Sequence, residues 1–186
     1  MSEPARQAAP LKLRPTMLSD LDFVTQVETD GRNLPFITPW ERTQHEAALR
    51  IPDFRHFIVE AGADGARDGF VILQGCRNRH RSVELKRIVL AREEQGQGLG
   101  RACVRLLKRM AFRDLHAHRF WLDVKQLNTR ALALYASEGF VEEGRLRESV
   151  RIFGMDESAG YDSLVVMSML DREYQARAAL GLEAAG

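Results

Sequence analysis

The sequence predicts an α+β fold, in which a mixed and mostly antiparallel sheet of about six to seven strands contains one central parallel strand–helix–strand unit. Short runs rich in β-branched and aromatic residues follow one another in the first half of the chain. In the second half such runs alternate with helical patterns, which is typical of a parallel, right-handed unit. Two last β-rich runs close the pattern as a hairpin.

The first half of the chain is predicted to form a meander of strands with two helices near its start. Leu21, Val24 and Val27 recur on one helical face, and prolines interrupt regular structure over residues 31–40. The predicted elements are a strand at 11–16, helices at 19–30 and 41–51, a hairpin of strands at 56–61 and 69–76, and a strand at 82–91.

The second half of the chain begins with a long helix, predicted from Gly98 to about His116 because apolar residues recur there at helical spacing. A second helix is predicted over residues 127–139, with Asn128 as its N-cap and Gly139 as the left-handed residue after its end. The remaining predicted strands lie at 119–124, 140–153 and 161–170.

Composition places the chain among ordinary globular proteins with one domain. It has 186 residues, 45% of them hydrophobic and 28% charged, and a net charge of +1. Nothing in this balance predicts a nucleic-acid or membrane surface, and no apolar run approaches the length of a membrane span. Cys76 and Cys103 lack metal-ligand spacing, so we expect a reducing cytoplasm and no metal. We expect a disordered arm at 1–10, one domain at 11–171 and a frayed helical tail at 172–186.

The run REEQGQGLGR, residues 92–101, is the most informative stretch of the sequence. Three glycines alternate with other residues at the point where a strand leads into a helix. The first N–H groups of a helix lack internal partners, and glycine lets a ligand approach the backbone closely. The run therefore predicts a site for a phosphate or pyrophosphate, to which Arg101 would add positive charge.

Two common phosphate-binding motifs fit this run poorly. A dinucleotide-binding turn, with Asp123 on the ribose, requires G-x-G-x-x-G, whereas the glycines here follow G-x-G-x-G after four polar residues. No second strand–helix–strand half is predicted either. A P-loop is excluded because no Gly-Lys-Ser/Thr follows.

Two motifs resemble those of the GNAT superfamily of N-acetyltransferases. Gln95-x-x-Gly98-x-Gly100 resembles the pyrophosphate motif Gln/Arg-x-x-Gly-x-Gly/Ala. NTRALALYASEGF, residues 128–140, resembles the signature Asn-x-x-Ala-x-x-Leu-Tyr-x-x-x-Gly-Phe. The resemblance runs from about Leu11 to Asp171. It implies the α/β/α layers of the GNAT fold and direct transfer of an acetyl group from acetyl-CoA to a primary amine.

The resemblance also implies roles for particular residues. Tyr135 would be the general acid that protonates the departing thiolate, and Glu84 would be the base or part of the acceptor site. Asn128 would contact the pantetheine arm. The backbone of Ile88, Val89 and Leu90 would hydrogen-bond that arm like an added strand. The phosphates would lie on the turn formed by Gln95, Gly96, Gln97, Gly98, Leu99, Gly100 and Arg101.

The acceptor is less well defined by the sequence. Loop 34–40 would wall its pocket, with Phe36 and Trp40 as apolar contacts. The sequence leaves open whether the acceptor is a small-molecule amine or a protein N-terminus, and whether the chain forms a homodimer. One alternative is a GNAT fold that binds acyl-CoA as a sensor or interaction module without turnover. A nicotinamide-dependent oxidoreductase is a weaker alternative.

Overall fold

A computed structural model describes residues 11–61, 65–91, 98–152 and 160–183. Its seven strands form one sheet in the order β1-β2-β3-β4-β5-β7-β6. The strands are β1 (Lys12–Pro15), β2 (Arg55–Glu60), β3 (Gly69–Gln74), β4 (Ser82–Leu90), β5 (Arg119–Lys125), β6 (Val141–Arg151) and β7 (Tyr161–Leu170). The helices are α1 (Leu21–Glu28), α2 (Arg42–Arg50), α3 (Leu99–Arg109), α4 (Thr129–Ser137) and α5 (Asp171–Ala179).

The sheet confirms the predicted mixture of antiparallel and parallel pairing. Strands β1 to β4 form an antiparallel meander, and β7 pairs antiparallel with both β5 and β6. Among the described strands, only β4 and β5 pair in parallel, and α3 lies between them in the chain. The central strand–helix–strand unit therefore lies where the sequence pattern predicted it.

The two parallel strands stay paired over a short distance and then diverge. Their register runs from Ser82–Arg119 to Glu84–Trp121 and ends there. Beyond that point β4 still pairs with β3, but a bulge shifts the register between Ile72 and Leu73. A bulge bends its strand and increases the local twist, and this register shift lies where β4 and β5 separate.

Helices cover both faces of the sheet and enclose two apolar cores. One face packs against α1 and α2 through residues such as Leu21, Val24 and Phe70. The other face packs against α3 and α4 through residues such as Leu107 and Phe120. This arrangement is the three-layer fold that the sequence predicted.

The predicted long helix after the glycine run has a more complex end than its apolar periodicity indicates. The α-helix ends at Arg109, and a π-helical turn covers Met110–Asp114. Helix α5 lies inside the segment predicted as a tail. Its Tyr174 is buried and stacks on Phe112 at 4.7 Å between ring centroids. Among the described residues, no helix combines the length and apolar character that crossing a bilayer requires.

Candidate functional site

A cavity of about 980 Å³ opens where β4 and β5 diverge. This volume lies at the upper end of the range of about 300–1,000 Å³ that is common for ligand sites. Its walls come from the ends of β4 and β5, the loop between α1 and α2, the start of α3 and one side of α4. The cavity therefore joins the two regions that the sequence assigned separately to a phosphate ligand and to an acceptor.

The start of α3 forms one end of the cavity. Gly98 is the N-cap in a left-handed conformation, with φ of 83°, and its carbonyl accepts the first helical hydrogen bond from the Ala102 N–H at 3.1 Å. The N–H groups of Leu99, Gly100 and Arg101 therefore precede the first intrahelical donor. A Cβ built on Gly98 would meet no protein atom within 4 Å, so the space beside it is open. These features fit a phosphate ligand.

The remaining residues of the glycine turn differ in what they offer. Leu99 is a core residue whose side chain is buried, so only its backbone is available to a ligand. Arg101 lines the cavity, but its Nη1 donates to Glu138 Oε1 at 2.6 Å and to Ser137 Oγ at 2.9 Å. The predicted residues Gln95, Gly96 and Gln97 lie outside the described part of the chain.

The end of β4 contributes Ile88, Val89 and Leu90 to the cavity wall. Val89 packs its side chain into the core under α1, whereas Ile88 and Leu90 pack toward α3. The side chains are thus committed to the two cores, and the edge of β4 that faces β5 is no longer paired with it. The geometry is consistent with the backbone role predicted for this segment.

Helix α4 brings Asn128 and Tyr135 to the cavity. Asn128 is the predicted N-cap, with its Oδ1 accepting from the Ala131 N–H at 3.2 Å. Tyr135 is 6% exposed and packs edge-on against Phe140. Burial, and secondarily the charge of Asp123, raises the pKa of the Tyr135 hydroxyl. The phenol therefore stays protonated at neutral pH.

Glu84 lies beside the cavity but not on its described wall. It occupies the last paired position of β4, opposite Trp121, and the described wall begins at Leu85. Its Oε1 accepts a hydrogen bond from Lys86 Nζ at 2.9 Å, and the residue is 8% exposed. The catalytic role of Glu84 stays a prediction.

Phe36 and Trp40 both line the cavity, as predicted for the acceptor loop. The Arg87 guanidinium carbon lies 4.7 Å from the centroid of the Trp40 ring. Arg87 Nη1 is 2.9 Å from Oε1 of the fully buried Glu28, and Arg87 Nη2 donates to the Thr38 carbonyl at 2.7 Å. A buried ion pair therefore holds the aromatic wall in place.

The Glu28 carboxylate continues into a polar chain beneath α1 and α2. Its Oε2 accepts from the Trp40 N–H at 3.0 Å and is 3.0 Å from His45 Nε2. His45 Nδ1 lies 3.1 Å from His56 Nε2, and His56 Nδ1 lies 2.9 Å from Thr16 Oγ1. Burial and the neighbouring His45 lower the pKa of His56 to about 3.

The sequence analysis missed three charged residues on the acceptor side of the cavity: Arg87, Asp123 and Lys125. A signal for two of them was available in β5. Phe120, Leu122 and Val124 alternate toward the α3 core, so the residues between them point to the other face. Nothing in the sequence indicated the role of Arg87, because its partner Glu28 lies far away along the chain.

Comparisons with known proteins agree with this geometry. The model of the Acetyltransferase (GNAT) family matches residues 22–140. The spermidine N(1)-acetyltransferase of Vibrio cholerae is 35% identical over 174 residues, covering 88% of this chain and 95% of that protein. Its Escherichia coli K12 counterpart is 28% identical over 176 residues, covering 89% of each.

Solved structures extend the likeness to three dimensions. The V. cholerae spermidine N-acetyltransferase in complex with CoA and spermine matches with a TM-score of 0.78 and 28% identity, covering 89% of this chain and 98% of that one. A dodecameric structure of the same enzyme matches with a TM-score of 0.74.

The fold and the cavity define an acyltransferase built on a divergent pair of parallel strands. The chain belongs to the GNAT family of acetyltransferases. It is an N-acetyltransferase that uses acetyl-CoA, as the two sequence motifs predicted. Among the described residues, no group of three or more His, Cys, Asp or Glu side chains is arranged to hold a metal ion.

Proposed function

We propose that the protein transfers the acetyl group of acetyl-CoA to the primary amine of a small molecule, with Tyr135 as general acid. The observation that carries this proposal is the buried Tyr135 hydroxyl on the same cavity as the glycine-capped start of α3. Among the described residues the hydroxyl has no hydrogen-bond partner. It is therefore available to a group bound in the cavity.

The chemistry assigns one proton transfer to Tyr135. The acceptor enters as an ammonium, with a pKa of about 10.4 for an alkylamine, and first loses one proton. The neutral nitrogen forms a bond to the acetyl carbon as the C–S bond breaks. Tyr135 donates its proton to the departing sulfur, and the second proton of the nitrogen restores the phenol. At neutral pH the hydroxyl carries its proton, as a general acid must before it can donate.

A small molecule is a better-supported acceptor than a protein N-terminus. The relatives that match about nine-tenths of this chain are named for spermidine, and a solved neighbour holds spermine. Spermidine is therefore one acceptor to test, beside amines of other charge.

Acceptor-dependent release of the free CoA thiol tests the proposal. We expect release from acetyl-CoA only when an amine is present, with formation of the N-acetylated product seen by mass spectrometry. Acetyl-CoA binding without thiol release, over a panel of monoamines, polyamines and amino acids, would instead support a non-catalytic sensor.

We also propose that the chain self-associates. The V. cholerae relative has been solved as a dodecamer. Here β6 is an edge strand that leaves Val141 and Leu146 exposed, and such an edge is available for pairing. Light scattering on the purified protein tests this, and a monomer at micromolar concentration would contradict it. The cytoplasmic location stays a prediction.

A further inference from the structure

The described wall of the cavity carries far more positive than negative charge. Asp123 is its single carboxylate. Its cationic side chains are Arg32, Lys86, Arg87, Arg101, Lys125 and Arg130. Phosphates bound at the start of α3 would account for some of them. Lys86, Arg87 and Arg101 are also paired with carboxylates behind the wall, namely Glu84, Glu28 and Glu138. Two buried cations beside the acceptor loop nevertheless keep donor positions without a partner among the described residues.

Arg87 is one of these cations, and its hydrogen bonding is incomplete. Its side chain is only 9% exposed, and its buried Nε has no hydrogen-bond partner among the described residues. Glu28 and the Thr38 carbonyl occupy the two terminal nitrogens. Desolvation lowers the pKa of Arg87, so its charged form gains from any anion placed near it. Arg87 lines the cavity as a residue, so its incompletely hydrogen-bonded positive charge would stabilise an anionic group bound there.

Lys125 is the second such cation and is 3% exposed. Its Nζ donates to the Pro35 carbonyl at 3.1 Å, and the ammonium forms no salt bridge with any described residue. Burial lowers the pKa of Lys125, and the charge of Asp162, which is not in salt-bridge contact with it, partly offsets this effect. A lysine buried in this way is normally paired with an anion. Here two of its three donor positions are left for a ligand.

Asp123 lies two residues before Lys125 on the same strand, so both side chains leave the same face of the sheet. Its negative charge acts to raise the pKa values of both Tyr135 and Arg87. It forms no hydrogen bond or salt bridge with any described residue. The arrangement therefore places one carboxylate on the same cavity wall as two buried cations and the general acid.

From this juxtaposition we propose that the acceptor is an amine that carries an anionic group near its nitrogen, such as an amino acid. Asp123 binds the ammonium and takes its first proton, while Lys125 and Arg87 bind the carboxylate. The inference rests on the proposed function and specifies its acceptor. A polyamine, which has only positive charges, would meet repulsion from both cations and satisfy neither.

Matched pairs of amines test the charge preference directly in the wild-type protein. Each pair contains an amino acid and the amine formed by removing its carboxylate: L-phenylalanine and phenethylamine, L-ornithine and putrescine, L-lysine and cadaverine. Spermidine is assayed beside them. We expect kcat/KM to be at least about tenfold higher for the carboxylate-bearing member of the pair that fits, because only that member can interact favourably with the positive charges of Lys125 and Arg87.

Two substitutions separate the roles of the charged groups. Lys125→Gln should lower kcat/KM for the amino acid by about tenfold or more, whereas kcat/KM for its decarboxylated partner should not fall, because the variant also removes a positive charge that repels it. Asp123→Asn should lower kcat/KM for both members of the pair. Lys12→Gln, on the exposed β1, is the control. Melting temperature and acetyl-CoA affinity confirm that each variant is folded.

The outcomes distinguish the inference from the function on which it rests. A preference for spermidine or for the decarboxylated amines would overturn the inference and leave N-acetylation of small amines intact. Equal use of both members of every active pair would overturn it as well. No acetylation of any amine would overturn the proposed function together with the inference. The matched amine pairs test the charge preference in the wild-type protein, so the inference can be contradicted even if Lys125→Gln does not fold.

Discussion

The two ends of the cavity are built on different physical principles. At the cofactor end, we expect most contacts with the ligand to come from backbone groups. These belong to the N-terminus of α3, with its left-handed Gly98, and to the divergent edge of β4. At the acceptor end, buried charged side chains such as Arg87 and Lys125 dominate. A backbone site accepts one common ligand through geometry that many sequences can provide. A site made of side chains can differ from one relative to the next.

The largest effect that we predict is on kcat, and it concerns Tyr135, which lies between the cofactor end and the acceptor end of the cavity. Tyr135→Phe removes one hydroxyl and should lower kcat by about 10³-fold, within the range of about 10²–10⁴ for a general acid. Acetyl-CoA affinity should stay within about twofold of wild type, because the ring remains. Stopped-flow thiol release and calorimetry give the two numbers. An unchanged kcat between pH 6 and 9 would remove Tyr135 from the mechanism.

The second-largest effect should come from breaking the buried ion pair between Glu28 and Arg87, which lies behind the acceptor loop. Glu28→Gln leaves the buried Arg87 charge uncompensated and should lower the free energy of unfolding by about 3 kcal/mol. Asp22→Asn is the control, because Asp22 forms an exposed pair with Arg42 and should contribute less than about 1 kcal/mol. Urea denaturation measures both. Equal losses in the two variants would mean that burial gives the Glu28–Arg87 pair no special importance.

Gly98→Glu should act on the cofactor end alone. It forces a side chain into a left-handed backbone conformation and places a negative charge where a phosphate is expected. We expect acetyl-CoA to bind about 100-fold more weakly by calorimetry, which is about 2.7 kcal/mol. Gly65→Glu introduces the same strain and charge in an open turn that does not line the cavity. If Gly98→Glu bound acetyl-CoA like the Gly65 variant, the phosphate site would lie elsewhere.

A smaller effect should appear in the pH dependence of stability. The pKa of His56 is about 3 in the folded protein, against about 6.5 when unfolded. Between these values the unfolded chain binds more protons. The stabilising contribution of neutral His56 is therefore complete above pH 6.5 and is lost progressively on acidification toward pH 3.

The slope due to this one histidine is at most about 1.4 kcal/mol per pH unit. His56→Gln should flatten the fall in unfolding free energy between pH 7 and pH 5, as measured by urea denaturation. His80→Gln, in an exposed turn, should leave the slope as it is in the wild type. Identical slopes in all three proteins would show that His56 titrates normally.

Much of the fold could be predicted because its determinants are local. Alternation and helical periodicity placed every strand and helix to within a few residues, and Asn128 and Gly139 marked the ends of α4. The π-helical turn after Arg109 was missed, because periodicity cannot distinguish it from a continued α-helix.

The candidate site could be predicted only where its residues are close together in sequence. The glycine turn and the Asn128–Tyr135 segment are of this kind. The Arg87–Glu28 pair joins β4 to α1, and the placement of Asp123 and Lys125 depends on how the strands diverge. The role of Glu84 was predicted only from the resemblance to the family. The structure places it at the last paired position, bound to Lys86.

Measuring two quantities on two variants tests most directly whether the two ends of the cavity act separately. Acetyl-CoA affinity and kcat/KM for an active amino acid are measured for Gly98→Glu and Lys125→Gln, beside wild type. We expect Gly98→Glu to lose acetyl-CoA affinity, whereas Lys125→Gln should keep that affinity and lose kcat/KM. If Lys125→Gln lost acetyl-CoA affinity instead, or lost neither quantity, the separation of the cavity into a backbone end and a charged end would be wrong.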